Sequence, residues 1–121
     1  MLQTLTIDDC GGMMIYELRI YHACPGKLPA LNARFSNHTL KMWDRFGIRQ
    51  VGFWTTVVGE SNNALYYMLE WENLAEREQK WNTFATHPDW LAIRAETEKD
   101  GQLVNHITNM MLTPTAYSKM R

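Results

Sequence analysis

The sequence predicts an α+β domain in the order β-α-β-β-α-β, with one short extra helix before the last strand. Three observations carry this. Segments of strand-like and helix-like apolar periodicity follow one another in that order, and a turn too short to hold a helix joins the two middle strands. In addition, 121 residues with 45% hydrophobic and 21% charged positions suit one domain with a single core, and four Pro and seven Gly are too few for a disordered or collagen-like chain.

The first strand runs from Met14 to Tyr21, with Met14, Tyr16, Leu18 and Ile20 on one face and Ile15, Glu17, Arg19 and Tyr21 on the other. Pro25-Gly26 breaks it. Pro29 suits the first turn of a helix that reaches Phe46 and ends at Gly47, with Leu28, Leu31, Phe35, Met42 and Phe46 as its buried stripe and His38 at the stripe's centre. Residues 50–58 (QVGFWTTVV) are β-branched and aromatic and read as the second strand, residues 59–63 (GESNN) as a turn, and Ala64–Trp71 as the third strand. Asn73 is placed to cap a helix through Ala85 whose buried stripe is Leu74, Trp81 and Ala85, with Arg77 beside it and Glu76–Lys80 as an outer i,i+4 pair. Pro88 opens the extra helix, with Trp90, Ile93 and Thr97 on one side, and Gly101 closes it. The fourth strand spans Leu103–Leu112, and either the His106, Thr108, Met110 parity or the Asn105, Ile107, Asn109 parity can face a cavity.

This order is the split βαβ of a ferredoxin-like domain, one antiparallel sheet with both helices on one face. On the third strand Leu65, Tyr67, Leu69 and Trp71 are expected to face the helices, which leaves Tyr66 and Met68 without cover in a two-layer monomer. A second subunit's sheet is therefore expected on that face, pairing two domains as a dimeric α/β barrel.

The charge balance, 12 Lys and Arg against 13 Asp and Glu, argues against the basic surface that nucleic acid requires. No apolar run reaches the ~20 residues of a membrane span. Residues 1–12 lack a signal-peptide pattern and are expected as an appendage to a domain spanning 13–118, with 119–121 as a tail. Cys10 and Cys24 form no metal-ligating motif and read as reduced thiols of a cytoplasmic protein, with a bridge between them as the alternative. No G-x-G pair or nucleophile elbow is present, and His22, His38, His87 and His106 contain no i,i+4 pair, so neither a cofactor nor a metal is expected.

The chemistry-bearing candidates are then polar groups expected on the uncovered sheet face. Glu17 and Arg19, two apart on one strand, are either an ion pair that sets a dimer register or a working pair. In the second case Arg19 orients an anionic or carbonyl substrate, and Glu17 is a base whose pKa is raised by a dry cavity. His38 is either a hydrogen-bonded core residue or a proton-transfer group at a cavity end.

Six segments resemble the NIPSNAP domain: MIYELRIYHACPGK (Met14 to Lys27), ALNARFSNHTLKMWDRFGI (Ala30 to Ile48), VGFWTTVVGESNNALYYMLEW (Val51 to Trp71), LAEREQKW (Leu74 to Trp81), HPDW (His87 to Trp90) and LTPTAYS (Leu112 to Ser118). The resemblance implies ferredoxin-like subunits that pair as a dimeric α/β barrel, an architecture shared with small oxygenases and isomerases acting on apolar or aromatic compounds. By family motif it carries over Tyr16, Glu17, Arg19, Tyr21, His38, Trp54, Arg77 and Trp90. Two functions are expected in competition. One is a homodimer binding a small apolar or aromatic molecule in a sheet-lined cavity, as an oxygenase-like or isomerase-like enzyme with Glu17, Arg19 and His38 as catalytic candidates and Tyr21, Trp54, Tyr66, Met68 and Arg77 as ligand contacts. The other is a non-catalytic interaction or scaffold module.

Overall fold

The computed structural model describes residues 13–121, so the expectation for residues 1–12 lies outside the described residues. The chain forms strand β1 (Ile15–Ala23), then helix α1 (Leu28–Arg34), a π-helical turn (Phe35–Thr39) and helix α2 (Leu40–Phe46) in direct succession. Strands β2 (Arg49–Thr55) and β3 (Ala64–Trp71), helices α3 (Leu74–Ala85) and α4 (Pro88–Thr97) and strand β4 (Val104–Leu112) follow. The sheet order is β2-β3-β1-β4 and every neighbouring pair is antiparallel, the arrangement of a ferredoxin-like α+β fold.

The alternation on β3 holds: Leu65, Tyr67, Leu69 and Trp71 are buried, while Tyr66, Met68 and Glu70 are half-buried on the opposite side. Around Tyr67 the core is largely aromatic. Phe35, Trp43 and Phe53 all lie with ring centroids 5.2–5.6 Å from it, in tilted or stacked pairs. Trp43 in turn meets Trp81 and Phe84 of α3 at 6.0 Å.

Three expectations need correction. The first concerns the long helix, which is not a single α-helix. Leu40 N–H donates to the Phe35 carbonyl, an i→i+5 bond that inserts one extra residue into the turn. The insertion rotates everything after it, so Thr39 and Trp43 are buried and His38, placed by a plain 3.6 period at the stripe's centre, is only half-buried. Pro29 in the first turn and Gly47 at φ 73°, closing α2 in the left-handed conformation, behave as read.

The second correction shortens β2. Pairing ends at Thr55 opposite Leu65, and Val57 and Val58 stand in the loop almost fully exposed. Asn63 sets that boundary from the other side: its side-chain amide donates to the Ala23 carbonyl at 2.9 Å, which ties the entry of β3 to the end of β1. The third correction concerns α3. Asn73 caps it as expected, its side chain accepting from Glu76 N–H at 2.8 Å, but Leu74 at the first position is 61% exposed and Phe84 is the residue buried. The inward face is Arg77, Trp81 and Phe84, so the stripe contains a cation. The Glu76–Lys80 pair forms at 2.9 Å, and Glu76 also accepts twice from Arg49 of β2.

Because Asn73 satisfies an otherwise unpaired N–H of the first turn, Asn73→Ala is expected to destabilise the domain by about 1 kcal/mol, a fall of roughly 4 °C in melting temperature. Asn73→Asp should keep most of the stability. Thermal unfolding followed by circular dichroism checks both.

Candidate functional site

Glu17 and Arg19 do not lie on the uncovered sheet face. Their partners in register are Leu69 and Tyr67, so both side chains point at the helices, and both are buried. Having apolar residues on both parities of β1 hid this, because the rule that the charged face is the outer face has no purchase on such a strand.

The Glu17 carboxylate accepts five hydrogen bonds. Trp71 Nε1 at 3.0 Å and Arg77 Nε at 2.8 Å reach Oε1; Arg19 Nη1 at 2.9 Å, Arg77 Nη2 at 2.9 Å and Asn109 Nδ2 at 2.8 Å reach Oε2. Burial alone would push this carboxyl up. The Arg77 fork, the Asn109 amide, the Arg19 charge and the Trp71 N–H outweigh burial and hold it at about 2. A carboxylate with its lone pairs occupied in this way is the reverse of the raised-pKa group that a base requires.

Arg19 continues the network toward solvent. Its guanidinium lies 4.4 Å from the centre of the Trp81 ring, donates from Nε to Tyr67 Oη at 2.7 Å and from Nη2 to Tyr21 Oη at 3.4 Å. Burial, with the neighbouring Tyr21, pushes the Tyr67 hydroxyl well above its ordinary value, and it donates to Tyr21 Oη at 3.0 Å. The Tyr21 oxygen therefore accepts from both sides, and its own proton is free to point elsewhere. Tyr21 borders a cleft of about 640 Å³ between the β1–β4 side of the sheet and helices α3 and α4. Arg19 forms part of its floor, Trp81, Phe84 and Trp90 form apolar walls, and Arg34, Arg94 and Glu98 lie at its helical side.

The predicted candidates thus fall into separate places. Glu17, Arg19, Tyr21 and Arg77 come together, with Trp90 across the cleft. Tyr66 and Met68 sit on the outer sheet face instead, where Trp54, half-exposed, pairs with Tyr66 across β2 and β3. A Cβ on Gly52 would meet the Trp54 indole at 2.9 Å, so glycine at that position lets the ring lie along its own strand. His38 joins neither group. On β4 the register resolves the open parity: Asn109 stands opposite Arg19 and Ile107 opposite Tyr21 on the helix side, whereas His106 stacks on His22 at 4.1 Å and Thr108 bonds His22 at 3.0 Å on the outer side.

Sequence reading missed Trp71, Tyr67 and Arg34 as site residues and left Asn109 as one of two open parities on the last strand. Trp71 and Tyr67 were legible as core only, and Asn109 reaches Glu17 across 92 residues of chain. Arg34 had one available sign, the i,i+3 helical spacing that puts it on the same buried face as Leu31. Among the described residues no group of three His, Cys, Asp or Glu is arranged to hold a metal ion, and no helix is long and apolar enough to cross a membrane. Cys24 is a free, half-buried thiol, and Cys10 lies outside the described residues.

Compared with known proteins, the chain matches the NIPSNAP family model over residues 16–119. Among solved structures it is similar to a NIPSNAP family protein of unknown function from Agrobacterium tumefaciens, with 20% identity, a TM-score of 0.79 and coverage of 91% of this chain and 96% of that one. A second NIPSNAP family protein from the same organism is 22% identical, with a TM-score of 0.79 and coverage of 89% and 99%. An uncharacterised NIPSNAP-like domain protein from Burkholderia xenovorans is 21% identical, with a TM-score of 0.77 and coverage of 88% and 90%. These likenesses establish the fold. No curated protein matches the chain.

The Glu17 cluster makes acid stability a direct readout. Its folded-state pKa of about 2 lies below the ordinary 4.5, so its contribution is complete above about pH 4.5 and disappears as pH falls through 2. That contribution is on the order of 3 kcal/mol. Glu17→Gln, which leaves the buried Arg19 and the half-buried Arg77 guanidinium groups short of their anion, should lower stability at pH 7 by about 3–5 kcal/mol and flatten this acid limb. Urea unfolding of both proteins between pH 7 and pH 2 tests the sign and the size together.

Proposed function

The chain belongs to the NIPSNAP family, and from that premise we propose that it is a cytoplasmic, homodimeric domain that holds a small apolar or aromatic molecule in the cleft between sheet and helices. The observation that carries this reading is the cleft itself. Its volume of about 640 Å³ falls inside the ~300–1,000 Å³ range of small-molecule sites, and Trp81, Phe84 and Trp90 wall it beside a few placed donors. Tyr21 is the donor with a proton to spare, and Arg19 and Tyr67 polarise it from behind. An isomerase-like or oxygenase-like reaction here would use the Tyr21 hydroxyl, not the Glu17 carboxylate, as the group that meets a ligand oxygen.

The outer sheet face supports the dimer. Leu18, Ile20, Tyr66 and Met68, with the exposed Trp54, Met110 and Leu112 around them, form an apolar surface that a second copy of the same sheet would cover. The scaffold reading has one observation in its favour: Glu17 and Arg77, both carried over by family motif, bind each other rather than an open cavity.

Two measurements test the proposal. Sedimentation should give twice the chain mass at micromolar concentration, and Met68→Glu should give a folded species of one chain mass. A monomeric wild type would reject the dimer. For the cleft, titration of ¹⁵N-labelled protein with the neutral probe 4-phenylbutanamide should shift the indole cross-peaks of Trp81 and Trp90. If both stay fixed with millimolar amide and also with the same concentration of its carboxylate counterpart, 4-phenylbutyrate, the binding reading fails and the scaffold reading replaces it.

A further inference from the structure

Beside the cleft lies a second, much smaller internal pocket, of about 20 Å³, bounded by Tyr21, Arg34, Phe84 and Trp90 in common with the cleft and by Phe35, Thr39 and Trp43 on its own account. Three of those residues carry a buried polar atom that has no hydrogen-bond partner among the described residues: Arg34 Nε, Thr39 Oγ1 and Trp43 Nε1. Buried polar atoms are almost always paired, and three unpaired ones bordering a single pocket are not an accident of packing. Two of them can only donate and the hydroxyl can do so, so what they lack is a shared acceptor. The pocket admits one atom of the size of an oxygen, a water needing roughly 10–15 Å³. Thr39 follows Phe35 by four residues within the π-helical turn and is buried with it, whereas His38 is only half-buried.

The charge around this pocket selects the kind of oxygen. Arg34 lines both the pocket and the cleft, and Arg19 and Arg94 line the cleft with Glu98 as its one carboxylate, which leaves two positive charges in excess along that lining in a chain whose formal net charge is −1. Arg34 itself is buried, held at 3.2 Å by Glu98 and 5.5 Å from the centre of the Trp90 ring, and so stays fixed in place. A partly dry cavity with a surplus of guanidinium charge favours an anion over a neutral ligand of the same shape.

We propose that the small pocket is the anion-recognising end of the cleft, and that the ligand is an aromatic or similarly apolar carboxylic acid. Its hydrocarbon body lies between Trp81, Trp90 and Phe84, and one carboxylate oxygen is set against Arg34 Nε, Trp43 Nε1 and the Thr39 hydroxyl. This rests on the small-molecule reading of the cleft and adds to it the charge and the orientation of the bound molecule.

The test compares 4-phenylbutyrate with the neutral 4-phenylbutanamide, whose bodies are the same. The carboxylate should bind at least ten-fold more tightly and should move the Trp43 indole cross-peak, which the amide should leave in place. Thr39→Val and Arg34→Gln should bring the two affinities within about two-fold while amide binding persists. Thr39→Val, which deletes an unpaired hydroxyl, should melt at or above the wild-type temperature, so its loss of discrimination is not loss of fold. Equal affinity for the two probes, or a Trp43 indole that the carboxylate does not move, overturns the anion site and leaves the cleft as a neutral pocket, with a water as the small pocket's occupant. If neither probe binds, the reading of the cleft falls and this inference falls with it.

Discussion

Four secondary-structure elements meet at one carboxylate. Glu17 on β1 is held by Arg19 of its own strand, Trp71 at the end of β3, Arg77 on the second turn of α3 and Asn109 on β4. Each donor comes from a different direction, so the group fixes the angle at which α3 crosses the sheet as well as the height of β4 against β1. Apolar contacts are tolerant of sliding by a fraction of an ångström; a five-coordinate buried anion is not. The arrangement is also what makes burial of the Arg19 guanidinium, and half-burial of that of Arg77, tolerable, since both share the ionised Glu17 at hydrogen-bond distance. Removing the carboxylate therefore disturbs the floor of the cleft and the helix beside it together.

The network divides the labour of the two sheet faces. On the helix side, polar groups lie within the core and end in a cleft open toward α3 and α4. On the outer side the sheet carries mainly apolar residues and one histidine pair. One face of such a layer can change without reshaping the other, because neighbouring positions on each strand belong to different faces.

Much of the fold was legible in the sequence where local chemistry sets local structure. Asn73, Pro29 and Gly47 act within a turn of their own positions, and β3 shows an alternation that can be read without its neighbours. What failed had non-local causes. Glu17 and Arg19 looked like outward charges because their partners, 60 and 54 residues further on for Glu17 and 48 for Arg19, are invisible from β1. His38 was misplaced by an inserted helical residue that carries no compositional mark. Arg34, a cation at the end of a short helix, gave no hint that α4 would close over it. Strand periodicity put Glu17, Arg19 and Tyr21 on one face, and the family motif carried over those three and Arg77 among eight positions; neither indicated which of them meet solvent.

The π-helical turn has a consequence for how this chain is compared with others. A helix that holds one residue more than its hydrogen-bond ladder needs can lose that residue without breaking either flanking segment, so Phe35–Thr39 is a natural place for relatives to differ in length. Where a relative has an unbroken helix, a gap in the alignment belongs inside this turn and not in the loops at either end. Placed in a loop, it would pair His38 with residues that face the core and shift Trp43 and Met42 out of correspondence. The rotational phase of α2 would then be inherited wrongly by any position argued from that alignment.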